Sequence, residues 1–211
     1  INSWIEDGYH RTSTELSHQS NVEETAWGGS LQWIHKPSHL AIQFNLSHTL
    51  FSVEKSTSSL AYKVNSWSGN QVQNYSISFQ APIQTIHFTG EFAWMPENHF
   101  AIIQGGAFAV SKKTDLSYLY RYYASSYFSP KAKGIGESAE TTNELGLFIG
   151  NQITFDKRNK LSNYLDIFKF PGLKYEVSQP NSWGWELLSR YQWEKRGKYT
   201  FFGQLKWTSK Q

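Results

Sequence analysis

Hydrophobic and polar residues take turns along most of this chain, with a period of two. In Leu40–Phe51, the residues Leu40, Ile42, Phe44, Leu46 and Leu50 fall on one side and Gln43, Asn45, Ser47 and Thr49 on the other. Thr85–Trp94, Glu144–Asp156, Trp183–Lys195 and Tyr199–Trp207 repeat the pattern. Successive side chains of a strand point to opposite faces, so this alternation predicts strands with one apolar and one polar face. No segment sustains a helical 3.6 period over three turns. The runs predict about eleven strands of roughly 9–14 residues, closer to the ~9–11 that cross a bilayer at a tilt than to the ~5–6 of soluble strands. They are Tyr9–Ser20, Trp27–Lys36, His39–Ser52, Val72–Ala81, Thr85–Met95, Phe100–Ser111, Leu116–Phe128, Glu144–Asp156, Leu161–Glu176, Trp183–Lys195 and Tyr199–Thr208. Pro171-Gly172 inside the ninth run predicts a bulge, and Gly105-Gly106 in the sixth a sharp bend.

The links between runs alternate as well. Short ones, such as Pro37-Ser38, Lys112-Lys113-Thr114 and Arg196-Gly197-Lys198, fall after every even-numbered run. The longest, Val53–Gln71 and Ser129–Asn143, follow odd-numbered ones, where Met95–His99 is also short. Outer-membrane barrels have short periplasmic turns and longer external loops. The expected fold class is therefore all-β: an antiparallel up-and-down transmembrane β-barrel, one domain over residues 1–211.

Composition agrees with a sheet wetted differently on its two sides. Aromatic residues make up 17% of the chain, with nine Trp, twelve Tyr and fourteen Phe. Mean hydropathy is nevertheless −0.54. A barrel that is apolar outside and polar inside reads this way. Trp27, Trp94, Trp183, Trp185, Trp193 and Trp207 lie near strand ends, where an interfacial aromatic belt is expected. Charges at mid-strand are costly toward lipid, so His87, Glu91, Arg121, Asp166, Glu186 and Arg190, with Glu144, are expected to line the lumen. Ile34, Phe51, Phe148, Leu188 and Phe202 share that inner side, so the interior is expected to be narrow or filled.

Several motifs, in order, resemble a family. Thr89-Gly90-Glu91-Phe92-Ala93, Leu119-Tyr120-Arg121-Tyr122-Tyr123-Ala124-Ser125-Ser126-Tyr127, Asn143-Glu144-Leu145-Gly146-Leu147-Phe148-Ile149-Gly150 and Asp166-Ile167-Phe168-Lys169-Phe170-Pro171-Gly172-Leu173-Lys174-Tyr175 are similar to strands of Bacteroidota outer-membrane β-barrel proteins. That family is known mainly by a helix-hairpin-helix segment preceding the barrel. Gly172 stands where the family carries Trp. The resemblance implies a bacterial outer-membrane location and adds no catalytic residue. It also implies a piece of a larger, even-stranded barrel, lacking an upstream segment and C-terminal strands.

Other chemistry is poorly served. There is no cysteine, and the net charge of +3 is spread along the chain, so no nucleic-acid footprint forms. No His-Glu-x-x-His motif, Ca loop or Gly-x-Ser-x-Gly elbow occurs, so no metal site, cofactor or enzymatic activity is expected. The expected partners are outer-membrane lipid and other outer-membrane or periplasmic proteins. The expected role is a structural subunit of an outer-membrane assembly, or a porin-like channel. A soluble all-β carbohydrate-binding module using Trp and Tyr platforms is the alternative. A barrel phospholipase, drawing on sets such as His10, Ser13 and Glu15 or His48 and Ser47, is the second.

Overall fold

Ten of the expected strands form, and each pairs antiparallel with its neighbours in sequence. A computed structural model of the chain describes residues 11–17, 20–57, 59–138, 140–175, 177, 179–195 and 198–210. The strands are β1 (Glu24–His35), β2 (Leu40–Lys55), β3 (Gly69–Ile83), β4 (Ile86–Met95), β5 (His99–Ser111), β6 (Thr114–Tyr123), β7 (Glu144–Thr154), β8 (Asn159–Phe170), β9 (Ser182–Lys195) and β10 (Tyr199–Lys210). They make one up-and-down sheet in the order β1 to β10. Its edges, β1 and β10, do not pair with each other, so the sheet is not closed. No helix among the described residues is long and apolar enough to cross a membrane.

The first expected strand is corrected. Residues 9, 10, 18 and 19 of Tyr9–Ser20 fall outside the described residues, and Ser13–Ser17 is a short helix, α1. Thr12 and Glu15 explain it. The Glu15 amide donates to Thr12 Oγ1 at 3.2 Å, and Glu15 Oε2 accepts from the Thr12 and Arg11 amides at 3.2 and 2.6 Å. This is a reciprocal capping box, which supplies a helix start with partners for its free amides. Ten strands thus replace the expected eleven.

Other limits also move. The expected Leu116–Phe128 ends at Tyr123, because the next carbonyls leave the ladder. Thr142 Oγ1 donates to Ala124 O and Ser125 O at 3.1 and 2.9 Å. The expected Leu161–Glu176 ends at Phe170, so Pro171 terminates a strand rather than bulging one. Pairing runs unbroken through Gly105-Gly106, so no bend is needed there. A Cβ on Gly106 would lie 2.5 Å from the Tyr118 ring, so this glycine seats an aromatic side chain.

Register divides every strand between two faces. The outer face carries Trp27, Leu31 and Trp33 of β1, Phe44 of β2, Ile149 of β7 and Leu205 of β10, all 49–72% exposed. Several of its polar groups hydrogen-bond one another. Asn163 Nδ2 donates to Asn151 Oδ1 at 3.0 Å, Ser189 Oγ to Asn163 Oδ1 at 2.7 Å, and Gln104 Nε2 to the Tyr118 hydroxyl at 2.6 Å. The small apolar core lies on the other, inner face at the long-loop end: Phe51, Val72, Ala93, Met95, Ala101, Tyr123 and Tyr127.

The short links, after β1, β3, β5 and β7, lie along one rim together with the β9–β10 link. The links over residues 56–68, 124–143 and 171–181 rise from the other rim, with the short turn Pro96–Asn98 among them. The long loops meet across the inner side. Trp67 stacks on Phe128 at 4.8 Å, and Tyr62 meets Tyr175 edge-on at 5.7 Å. Tyr62 follows β2 and Tyr175 follows β8, strands that would lie about 29 Å apart in a flat sheet at ~4.8 Å per strand. Curling of the sheet toward its inner face brings their loops together.

Candidate functional site

All the charged residues expected inside share the inner face. Register runs Thr89 to Gly105 and Glu91 to Ile103 to Arg121, placing His87, Glu91 and Arg121 on one side. It continues through Gly146 and Phe168, with Asp166, Glu186 and Arg190 alternating on that same side of β8 and β9. Ile34, Phe51, Phe148, Leu188 and Phe202 are there too. They do not form one cluster, however. His87 and Glu91 are exposed on the wall of β4, whereas Arg121 is fully buried.

Arg121 is the hub. Its Nε donates to Glu144 Oε1 at 2.6 Å, and Nη1 and Nη2 donate to the two Asp166 oxygens at 2.8 and 3.0 Å. The planar guanidinium thus uses one edge for a bidentate carboxylate and its Nε for a second one. Gly146, facing Arg121 across β6 and β7, makes room for it. A Cβ at Gly146 would lie 2.3 Å from the guanidinium carbon.

The β6–β7 loop closes over this hub. The Glu137 amide donates to both Glu144 oxygens at 3.1 Å, and the Tyr123 hydroxyl donates to Ile135 O at 2.9 Å. Lys174, from the β8–β9 loop, lies 3.6 Å from Glu144 Oε2 and 3.9 Å from the Phe170 ring centre. Burial pushes its ammonium below the usual lysine range, and the Glu144 carboxylate opposes that fall. Asn143 pins the two loops together. Its Oδ1 accepts from the Gly172 amide at 2.7 Å and its Nδ2 donates to the Gly172 and Leu173 carbonyls.

The loop also reaches both edges of the sheet. Lys131 pairs with Glu24 of β1 at 2.6 Å, and Glu137 pairs with Lys210 of β10 at 2.9 Å. It is a strut laid across the inner face. Beyond the hub, Glu186 accepts from the Tyr164 hydroxyl and from Lys206 at 2.8 Å, and Arg190 lies 4.2 Å from the Phe202 ring centre.

The six expected interfacial tryptophans all lie on the outer face, near the rims. Trp94 belongs to a row of rings, Tyr75–Trp94–Phe92–Phe100–Tyr122, with centroids 5.2–5.9 Å apart along the long-loop rim. Trp27, Trp183, Trp185 and Trp207 lie toward the same rim. Trp193 lies at the turn rim with Phe201 and Tyr199, at centroid spacings of 5.8 and 6.2 Å.

Sequence reasoning singled out Arg121, Glu144 and Asp166 separately and missed what ties them together. Gly146, Glu137, Lys174, Lys206 and Lys210 were not marked. A glycine at an inner position of an otherwise regular strand, one strand from a buried arginine, was the available signal. The loop residues had none.

Arg121, Glu144 and Asp166 are spent on one another, an electrostatic lock that orders a loop. Among the described residues, no group of three or more His, Asp or Glu could hold a metal ion. No protein-family model, curated protein or solved structure matches the chain.

Proposed function

We propose that this chain is the wall of a bacterial outer-membrane β-barrel with an occluded interior, acting as a structural subunit of an outer-membrane assembly rather than as an open porin. The observation that carries the reading is the outer face. Large apolar side chains stand exposed on it from Trp27 in β1 to Trp207 in β10. Soluble monomers rarely expose contiguous apolar patches above about 300–600 Å². Hydrocarbon as solvent removes the penalty, and strands of 10–16 residues are long enough to cross it. Aromatic rows toward both rims fit the two membrane interfaces.

Occlusion follows from the inner side. The β6–β7 loop is braced at β1, at β10 and on the Arg121 hub, and bulky Phe148, Leu188 and Phe202 share the lumen face. A water-filled pore needs neither. The neighbouring subunit is then another outer-membrane or periplasmic protein.

Membrane fractionation followed by planar-bilayer recording tests the proposal. The chain is expected to stay in the membrane pellet after an alkaline carbonate wash, to need detergent for release, and to give little conductance after reconstitution. Release into buffer without detergent sinks the membrane reading. Steady porin-sized conductance sinks the occlusion alone.

A further inference from the structure

A cavity of about 410 Å³ lies between the inner wall of β2–β5 and the β6–β7 loop, apart from the Arg121 ion-pair cluster. Its polar lining is mostly neutral amides and hydroxyls, among them Asn45, Asn74, Ser76 and Ser129, set beside apolar wall from Ala93, Ala101 and Ile103. Asn74 is 8% exposed, and among the described residues its Oδ1 has no hydrogen-bond partner. A buried acceptor that has given up water without gaining a donor is disfavoured, and such atoms call for a specific explanation. A ligand that supplies the donor is one.

The rest of the lining narrows the ligand's chemistry. The charges present are of both signs, Glu91 on the wall and Lys131 and Lys133 on the loop, and Lys131 is already paired with Glu24. The cavity is therefore no anion trap. Tyr127 is 5% exposed, and burial pushes its phenol up to about 12, with Ser129 pulling it down and Glu91 raising it further. It remains a neutral hydroxyl at physiological pH, able to donate and accept.

We propose that this cavity binds a neutral saccharide of one or two rings. Sugar hydroxyls both donate and accept. They match a lining that offers an unpartnered amide oxygen, a carboxylate and several hydroxyls, with Tyr123 and Tyr127 supplying apolar surface. The volume lies within the ~300–1,000 Å³ of small-molecule pockets. The site goes beyond the proposed function and does not depend on it, since a soluble sheet would carry the same cavity.

Saturation-transfer NMR on the full chain tests it, in lauryldimethylamine oxide because sugar-headed detergents would compete. The probes are glucose, maltose, N-acetylglucosamine and, as a zwitterionic counter-probe, glycylglycine. Transfer to the ring protons of at least one sugar is expected, falling at least fivefold in Asn74→Leu. That variant loses the unpartnered acceptor and is expected to melt no lower than the wild type, so lost binding would not reflect lost fold. Glu91→Gln, at an exposed position, is expected to weaken the same signal at least threefold and carries the test if Asn74→Leu does not fold. Absence of transfer to every sugar, transfer to glycylglycine alone, or signals unchanged in the folded variants overturns the proposal.

Discussion

At the scale of single residues, the Arg121 hub governs what the interior tolerates. Arginine is always charged, so its burial depends on Glu144 and Asp166 staying in place. Removing one partner of a buried ion pair typically costs about 3–5 kcal/mol, because the remaining charge is stranded. Gly146→Val is expected to destabilise by a similar ~3–5 kcal/mol, since its Cβ would take the guanidinium's space. Denaturant unfolding in micelles, followed by circular dichroism, measures it, and a loss under about 1 kcal/mol would mean that the cluster relaxes freely. Asp156, in the β7–β8 turn, behaves differently. Its carboxylate accepts from the Asn159 side chain and from the Arg158 and Asn159 amides, which hold its pKa below the usual range. A folded value below the unfolded ~3.9 means that Asp156 stabilises fully above about pH 4 and loses that effect as pH falls through the folded value. Asp156→Ala is therefore expected to flatten the acid side of a melting-temperature profile and leave its slope near neutrality unchanged. Arg121 was legible in the sequence as an inner residue because strand alternation has a period of two. Its partners on the loops were not, since no local pattern reports where a loop lies.

At the scale of elements, the two faces of each strand make opposite predictions. Ile149 is 49% exposed on the outer face of β7, and Thr89 is exposed on the inner face of β4. Arginine at a lipid-facing mid-strand position costs about 2–4 kcal/mol, whereas lumen positions tolerate charge. Ile149→Arg is expected to lower folding stability in vesicles by that amount, with Thr89→Arg nearly neutral. Equal, near-zero effects would indicate water on both sides. The strands themselves were readable because alternation, length and turn spacing agreed from Trp27 onward. The miss at Tyr9–Ser20 has a physical cause. Leu16 is the segment's lone aliphatic residue, and Thr12-Ser13-Thr14-Glu15 offers its backbone a better local arrangement than a ladder. Strand ends at Tyr123 and Phe170 were misplaced for related reasons, a side chain capturing carbonyls in one case and a proline without an amide in the other.

At the scale of the whole molecule, the β6–β7 loop joins regions far apart in sequence. Its ion pairs with Glu24 and Lys210 tether both outermost strands. Replacing residues 130–140 with a short Gly-Ser linker is expected to raise single-channel conductance severalfold and to lower the unfolding temperature. An unchanged conductance would count against this loop as the plug of the proposed barrel. Which links run long was legible in the sequence, but loop placement depended on contacts such as Tyr62–Tyr175 that no window of sequence contains. The two outermost strands carry one further implication. Among the described residues no strand pairs with their outer rows of amides and carbonyls, and in the proposed membrane setting hydrocarbon would not tolerate such rows. β1 descends from the loop rim while β10 climbs toward it, so they can zip directly to each other. Any guests seated in the seam must instead come as hairpins, in pairs, because a single inserted ribbon would run parallel to one of its neighbours.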